Sequence, residues 1–167
     1  MTNSAEAVQV SKIAIIDLEA SGLGSASYPT EIGWCLLHDD GSITSGACLI
    51  RPAAKWTQFS NAWSAASERL TGINQEMLDT DGVSPRKAME RFLEAVGDRD
   101  LLSDELDFDT HWLEMLMDAA GISLGKRKLG DLNQFMQRSG LTPKFDEPPR
   151  HRTEADVRRL ASALCRR

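Results

Sequence analysis

Two carboxylates one residue apart, Asp17 and Glu19, follow the apolar run at positions 13–16. An isoleucine-rich run of this length, bounded by turn-forming residues, predicts a buried strand. Side chains two positions apart share one face of a strand, so both carboxylates should project from its carboxyl end. Adjacent carboxylates repel unless a cation lies between them, and ligation by oxygen favours Mg²⁺ or Mn²⁺. A solvated acidic strand end is the common alternative, and the apolar run before the pair argues against it.

A second acidic group lies near position 105, where a short predicted strand gives way to a helix. Phe108 and Trp112 have helical spacing and are predicted to face the core, which places Asp109 in the first turn. Asp104, Glu105 and Asp107 surround it. Acidic residues in a first turn are ordinary partners of the helix dipole, so this group alone indicates no chemistry.

A third group opens the last predicted helix. His151 precedes the helix and Asp156 lies in its first turn. Thr153 with Asp156 resembles a capping box, which by itself could explain the aspartate. A single histidine in a loop is more often a surface residue than a catalyst.

The elements that must position these groups follow from periodicity and turn signals. Strands are predicted at 12–17, 32–38, 43–50 and 101–103, and helices at 61–70, 85–96, 108–119, 128–138 and 153–165. Three antiparallel strands followed by alternating helices and short strands predict an α/β fold, a mixed sheet with helices packed on it. No linker or repeat interrupts the chain, so we expect one domain over residues 1–167, with a flexible N-terminus at 1–11.

The three groups in this order, Asp-x-Glu, Phe-Asp and His-x4-Asp, resemble the motifs of the DEDDh 3′–5′ exonucleases. The segment at 70–78, Leu-Thr-Gly-Ile-Asn-Gln-Glu-Met-Leu, is also similar to the stretch between that family's first two motifs. The resemblance covers nearly the whole chain. It implies a ribonuclease-H-like fold and a metal-dependent exonuclease of the kind that includes ribonuclease T and polymerase proofreading subunits.

The resemblance also implies roles for five residues. The four carboxylates, those of Asp17, Glu19, Asp109 and Asp156, would hold two divalent cations, Mg²⁺ or Mn²⁺, and His151 would be the general base. Two such ions can hold the attacking and leaving oxygens of an in-line phosphodiester displacement. An imidazole can accept a proton from water near neutral pH.

Substrate contacts are implied at further positions. Leu18, Ala20, Ser21 and Leu23 match positions that cradle the terminal nucleotide of a single-stranded DNA or RNA 3′ end. Many relatives carry His-Asn-Ala where this chain has Asp-Glu-Leu at 104–106, and His where it has Thr at 71. Two acids thus replace neutral groups that would face the substrate.

Charge is divided unevenly along the chain. Residues 1–125 carry a net charge of −12 and residues 126–167 carry +6. Basic residues of the last quarter are therefore the candidate phosphate contacts, namely Lys126, Arg127, Lys128, Arg150 and Arg152. Solvated ion pairs are the simpler explanation. By analogy with relatives that lend basic surface between subunits, a homodimer is possible.

Composition fits an ordinary globular protein. Hydrophobic residues make up 41% and charged residues 26% of the chain, and three scattered cysteines predict neither a disulfide framework nor a zinc site. The sequence shows no signal peptide or membrane span, so a cytoplasmic protein without a membrane partner is expected. Two alternatives to an active exonuclease stay open. One is a catalytically weak module of that fold that binds nucleic acid or protein, and the other is an acidic domain that binds cations.

Overall fold

The computed structural model describes residues 10–140 and 148–165, with backbone alone at position 165. Its five strands and six helices are β1 (Ile13–Ala20), β2 (Pro29–Leu37), β3 (Ile43–Leu49), α1 (Ala65–Thr71), α2 (Gln75–Thr80), α3 (Pro85–Val96), β4 (Asp100–Ser103), α4 (Leu106–Ala120), β5 (Leu129–Asp131), α5 (Leu132–Arg138) and α6 (Thr153–Cys165). Of the N-terminus expected to be flexible, residues 1–9 lie outside the described part, and Val10–Lys12 form a 3-10 turn.

One five-stranded sheet, in the order β3-β2-β1-β4-β5, organises the molecule. The first three strands pair antiparallel, and β4 and β5 extend the sheet parallel to β1. This confirms the predicted mixed sheet. Because β1 and β4 run in the same direction, their carboxyl ends meet at one edge, where Asp17, Glu19 and the start of α4 come together.

Helices cover both faces of the sheet. On one face α3 and α4 bury Ile16 and Leu18 of β1, and on the other α5 and α6 bury Ile13 and Ile15. Side chains alternate along β1, so Asp17 continues the row of Ile13 and Ile15 on the α6 face. The strand period thus points the Asp-x-Glu pair toward the last helix.

Three local predictions differ from the structure. The helix expected at 61–70 begins at Ala65, because Ser64 caps it by accepting the Ser67 amide at 3.3 Å. The sequence reading missed α2, which Asn74 caps. The helix expected at 128–138 is the strand β5 followed by α5, and Asp131 accepts the first amides of α5. Within the described residues, no helix is long and apolar enough to span a membrane.

Candidate active site

Three carboxylates converge at the carboxyl end of β1. Asp17 and Glu19 come from that strand and Asp156 from the first turn of α6, and one oxygen of each lies within 4.8 Å of the others. Among the described residues, this is the one group of three or more potential metal-ligating side chains that come this close together. Glu19 and Asp156 are buried, whereas Asp17 is partly exposed. The arrangement supplies oxygen ligands on one side and an opening to solvent on the other.

Backbone amides hold the Asp156 carboxylate. Its Oδ1 accepts the amide of Arg150 at 2.8 Å, and its Oδ2 accepts the amide of Arg152 at 3.3 Å. Arg159, one turn further along α6, places its Nε 3.6 Å from Oδ1. The suggested capping box with Thr153 does not form: the Thr153 hydroxyl is buried and has no hydrogen-bond partner among the described residues. Asp156 therefore orders the turn before the helix through its own carboxylate.

Asp109, the fourth predicted ligand, is fully buried and reaches the site from the opposite face of the sheet. Its Oδ1 accepts the Leu18 amide at 2.9 Å, and its Oδ2 accepts the hydroxyl of Ser103 in a short hydrogen bond. Leu18 lies between Asp17 and Glu19, so Asp109 fixes the backbone that carries both. Asp109 is not one of the three carboxylates whose oxygens lie within 4.8 Å of one another, and its two bonds were not indicated by its sequence position.

The pKa values of three carboxyls, those of Asp17, Glu19 and Asp109, are raised. Burial, then the charges of Asp109 and Glu19, raise the pKa of Asp17 well above its usual value. Burial, then the charge of Glu31, raises the pKa of Glu19 to about 8. Burial also raises the pKa of Asp109 to about 7, against the hydrogen bonds from Ser103 and Leu18, which lower it. Without a cation the cluster therefore retains protons at neutral pH. A divalent cation would replace them, so the donor set fits a metal site.

His151 occupies a strained turn at the edge of the site. Its backbone φ is +53°, a left-handed conformation that residues other than glycine rarely adopt. The amides on either side of it, of Arg150 and Arg152, are the two that Asp156 binds. The imidazole is half-buried and lines the same cleft as the carboxylates.

A cleft of about 670 Å³ opens beside the carboxylates. One wall is apolar and includes Leu23 and Leu70, whose side chains are unusually exposed at 85% and 56%. Asp104 and Glu105 also line the cleft, so the acids that stand where relatives have His-Asn face this space. The cleft thus joins an apolar surface that fits a planar ring to an acidic floor.

The remaining predicted substrate residues are placed as follows. Leu18 and Ala20 line the cleft, whereas the buried Ser21 donates to the carbonyl of Ala62 at 2.6 Å. Arg152 forms an ion pair with Glu31 at 2.8 Å, and Arg150 is exposed beside the His151 turn.

The basic segment 126–128 precedes β5, at the end of the sheet opposite the carboxylates. The guanidinium of Arg127 there donates to the carbonyl of Gly97, just before β4. Because β5 and β4 run parallel to β1, this segment is level with the start of β1 and far from Asp17.

Two residues of the site were missed from sequence. Glu31 is 2% exposed and lies directly opposite Glu19 on β2, and Ser103 ends β4 and binds Asp109. The signal for Glu31 was a single charge inside the apolar strand Pro29–Leu37. A buried charge of this kind requires a partner. Nothing in the sequence around Ser103 distinguishes it from other serines.

No protein-family model matches the sequence, and no curated protein matches it. Solved structures do. Escherichia coli exonuclease I, in complex with a dT13 oligonucleotide, superimposes with a TM-score of 0.69 at 13% identity over 92% of this chain. A 3′-exonuclease solved with a histone mRNA stem-loop gives 0.70 at 16% identity over 92% of this chain and 80% of its own. The chain spans 40% of exonuclease I. The likeness confirms the ribonuclease-H-like fold.

Proposed function

We propose that the protein is a DEDDh-type, divalent-metal-dependent 3′–5′ exonuclease that releases nucleoside 5′-monophosphates from single-stranded ends. The observation that carries this is the convergence of three carboxylates within 4.8 Å, beside a histidine and an open cleft. The neighbouring folds support it, since both are exonucleases.

Two cations, Mg²⁺ or Mn²⁺, would be held by the four carboxylates. Asp17, Glu19 and Asp156 would hold one cation, and Asp17 with Asp109 would hold the other. When bound, such ions supply Lewis acidity, lower the pKa of water and neutralise charge on the reacting phosphate. Asp109 has a second task, because its bond to the Leu18 amide fixes the direction of its neighbours Asp17 and Glu19.

His151 is the proposed general base. A ring nitrogen accepts the proton of the attacking water, and the partly exposed position of the side chain lets that proton pass to solvent.

Leu23, Leu70 and the partly buried Phe108 offer the terminal base an apolar surface. The backbone around Ala20 would meet the 3′ end. A homodimer that brings the basic segment 126–128 near a partner copy's cleft is the proposed route to longer substrates.

A 5′-labelled oligonucleotide with Mn²⁺ tests this function. We expect a ladder of products shortened from the 3′ end, protection by a 3′-phosphate and no cut in a circular strand. Asp17→Asn is the matched inactive control, because it removes the proposed bridging charge at nearly constant volume. Equal cleavage of the circle, or full activity in chelator, would contradict the proposal.

A catalytically weak binding module is the alternative, and one observation favours it. Asp104 and Glu105 face the cleft, where their charges oppose the phosphates of a bound strand. The same assay separates the two, because a catalytically weak module leaves the labelled strand at full length in Mn²⁺.

A further inference from the structure

The two residues of β2 that lie opposite the Asp-x-Glu pair are Gly33 and Glu31. In the antiparallel register Asp17 faces Gly33 and Glu19 faces Glu31. Directly opposed residues project from the same face of a sheet. Gly33 and Glu31 are therefore next to the two carboxylates on the face that α6 covers.

The turn before α6 attaches to the same two residues. Glu31 accepts the Thr153 amide at 2.9 Å and two donors of the Arg152 guanidinium, Nη2 at 2.8 Å and Nε at 3.2 Å. This fork geometry fixes direction as well as distance. The Glu31 side chain is 3% exposed and that of Arg152 is 42% exposed, so the carboxylate of the pair is buried and its guanidinium is partly exposed.

Gly33 lets the helix approach the strand backbone. A β-carbon on Gly33 would lie 2.4 Å from the Thr153 hydroxyl and 2.8 Å from the Thr153 carbonyl carbon, which no ordinary packing allows. The start of α6 therefore rests on β2 without an intervening side chain. Asp156, one turn later, is thereby brought within 4.8 Å of Asp17 and Glu19.

We propose that Glu31 and Arg152 are positioning residues of the active site, and that their ion pair clamps the His151 turn and the first turn of α6 onto β2. This deepens the proposed function and rests on it. The clamp sets two things at once, because Arg152 is the neighbour of His151 and also donates its amide to Asp156. His151 adopts a backbone conformation that only its surroundings can maintain, and Glu31 anchors the residues that follow it.

The sequence suggested that Arg152 contacts the substrate, and a clamp is a different role with different effects. As a phosphate ligand, Arg152 would act on the Michaelis constant and on the salt dependence of binding. As half of a clamp it acts on metal affinity and turnover. Removing its guanidinium leaves Glu31 buried, charged and unpaired, which is more disruptive than removing both groups.

The experiment compares Arg152→Met, Glu31→Gln, the double variant and a matched control, Arg86→Met. The control breaks an exposed arginine–glutamate pair on α3, remote from the site. Two readouts need no nucleic acid: calorimetric Mn²⁺ affinity, and amide hydrogen exchange of residues 150–156. The Michaelis constant and kcat on a labelled oligonucleotide complete the set.

We expect Arg152→Met to weaken Mn²⁺ binding by about 10–100-fold, as removal of groups that orient metal ligands does, and to speed amide exchange at residues 150–156. The double variant should recover part of both losses, and Arg86→Met should match the wild type. Glu31→Gln keeps an acceptor for the Thr153 amide, so it should fall near the lower, roughly 10-fold, end. If Arg152→Met does not fold, Glu31→Gln tests the clamp in its place.

Several results would overturn the clamp. Unchanged Mn²⁺ affinity and exchange in Arg152→Met is one, and a raised Michaelis constant with unchanged kcat, which marks a substrate contact, is another. Strictly additive losses in the double variant also refute it. If the wild type binds Mn²⁺ but cleaves no strand, the proposed function is refuted, and the measurements of Mn²⁺ affinity and amide exchange still test the clamp. A wild type that binds no Mn²⁺ refutes the metal mechanism, and exchange alone then decides the clamp.

Discussion

Replacement of Glu19 by glutamine should stabilise the metal-free protein, by an amount that grows with pH. Burial, then the charge of Glu31 across the strand pair, then that of Asp156, raises the pKa of Glu19 from 4.5 to about 8. Between these two values the folded state binds more protons than the unfolded state, so this group lowers stability as pH rises. Glutamine has the same size and no charge, which removes the pH-dependent cost.

The magnitude follows from the two pKa values. Each unit of difference corresponds to about 1.4 kcal/mol, so the cost of ionised Glu19 is about 1 kcal/mol at pH 5, about 3 at pH 7 and about 4 at pH 8. For a chain of 167 residues each kcal/mol moves the melting temperature by about 2–4 °C. The variant should therefore melt about 2–4 °C above the wild type at pH 5 and about 10 °C above it at pH 8.

Thermal melts in chelator at pH 5, 7 and 8 measure this difference, and excess Mn²⁺ adds the second arm. An ion at 100 times its dissociation constant stabilises the wild type by about 2.7 kcal/mol. The variant, with one ligand fewer, should gain less. Glu90→Gln is the matched control, since Glu90 pairs with Arg86 at an exposed site on α3. A difference that stays constant with pH, or a variant that melts below the wild type at pH 8, would refute the reasoning.

Two further predictions concern groups beside the cluster. His151→Ala should lower turnover by about 10²–10⁴-fold and leave Mn²⁺ affinity nearly unchanged, because the imidazole acts on the water and not on the ions. Full turnover at saturating Mn²⁺ would make His151 a bystander. Ser103→Ala should lower the free energy of unfolding by about 1.5–3 kcal/mol, since it removes the hydroxyl donor to buried Asp109. It should also raise the pKa of Asp109 further, which a shift of the pH–rate profile to higher pH would show; an unshifted profile and melt would contradict this.

The sequence was sufficient to predict those elements whose structure depends on a local pattern of residues. Alternation along β1 correctly placed Asp17 and Glu19 on one face, and Pro85 with Gly97 bounded α3 at the predicted residues. The strand β5 was missed because three residues carry no period of their own. Its extended conformation comes from pairing with β4, a long-range partner that the run at 128–138 does not reveal.

Partners distant in sequence account for most of what the site contains beyond the motifs. Asp109 was identified by its motif, yet its bond to the Leu18 amide joins residues 91 positions apart. The ion pair of Glu31 with Arg152 spans 121 positions. The sequence analysis predicted that Arg152 binds phosphate, because it is a basic residue near a predicted site. In the structure, a buried carboxylate on the neighbouring strand has already engaged its guanidinium.

This use of arginine inside the site changes what the cleft presents to a substrate. Arg152 pairs with Glu31, and Arg159 lies against Asp156, so both guanidinium groups are engaged with protein carboxylates. Asp104 and Glu105 add further acids to the lining. Under the proposed function, phosphate attraction at the reacting end would therefore come chiefly from divalent cations. The carboxylates that would repel a nucleic acid in the metal-free protein would then, once they ligate cations, hold its terminal phosphate.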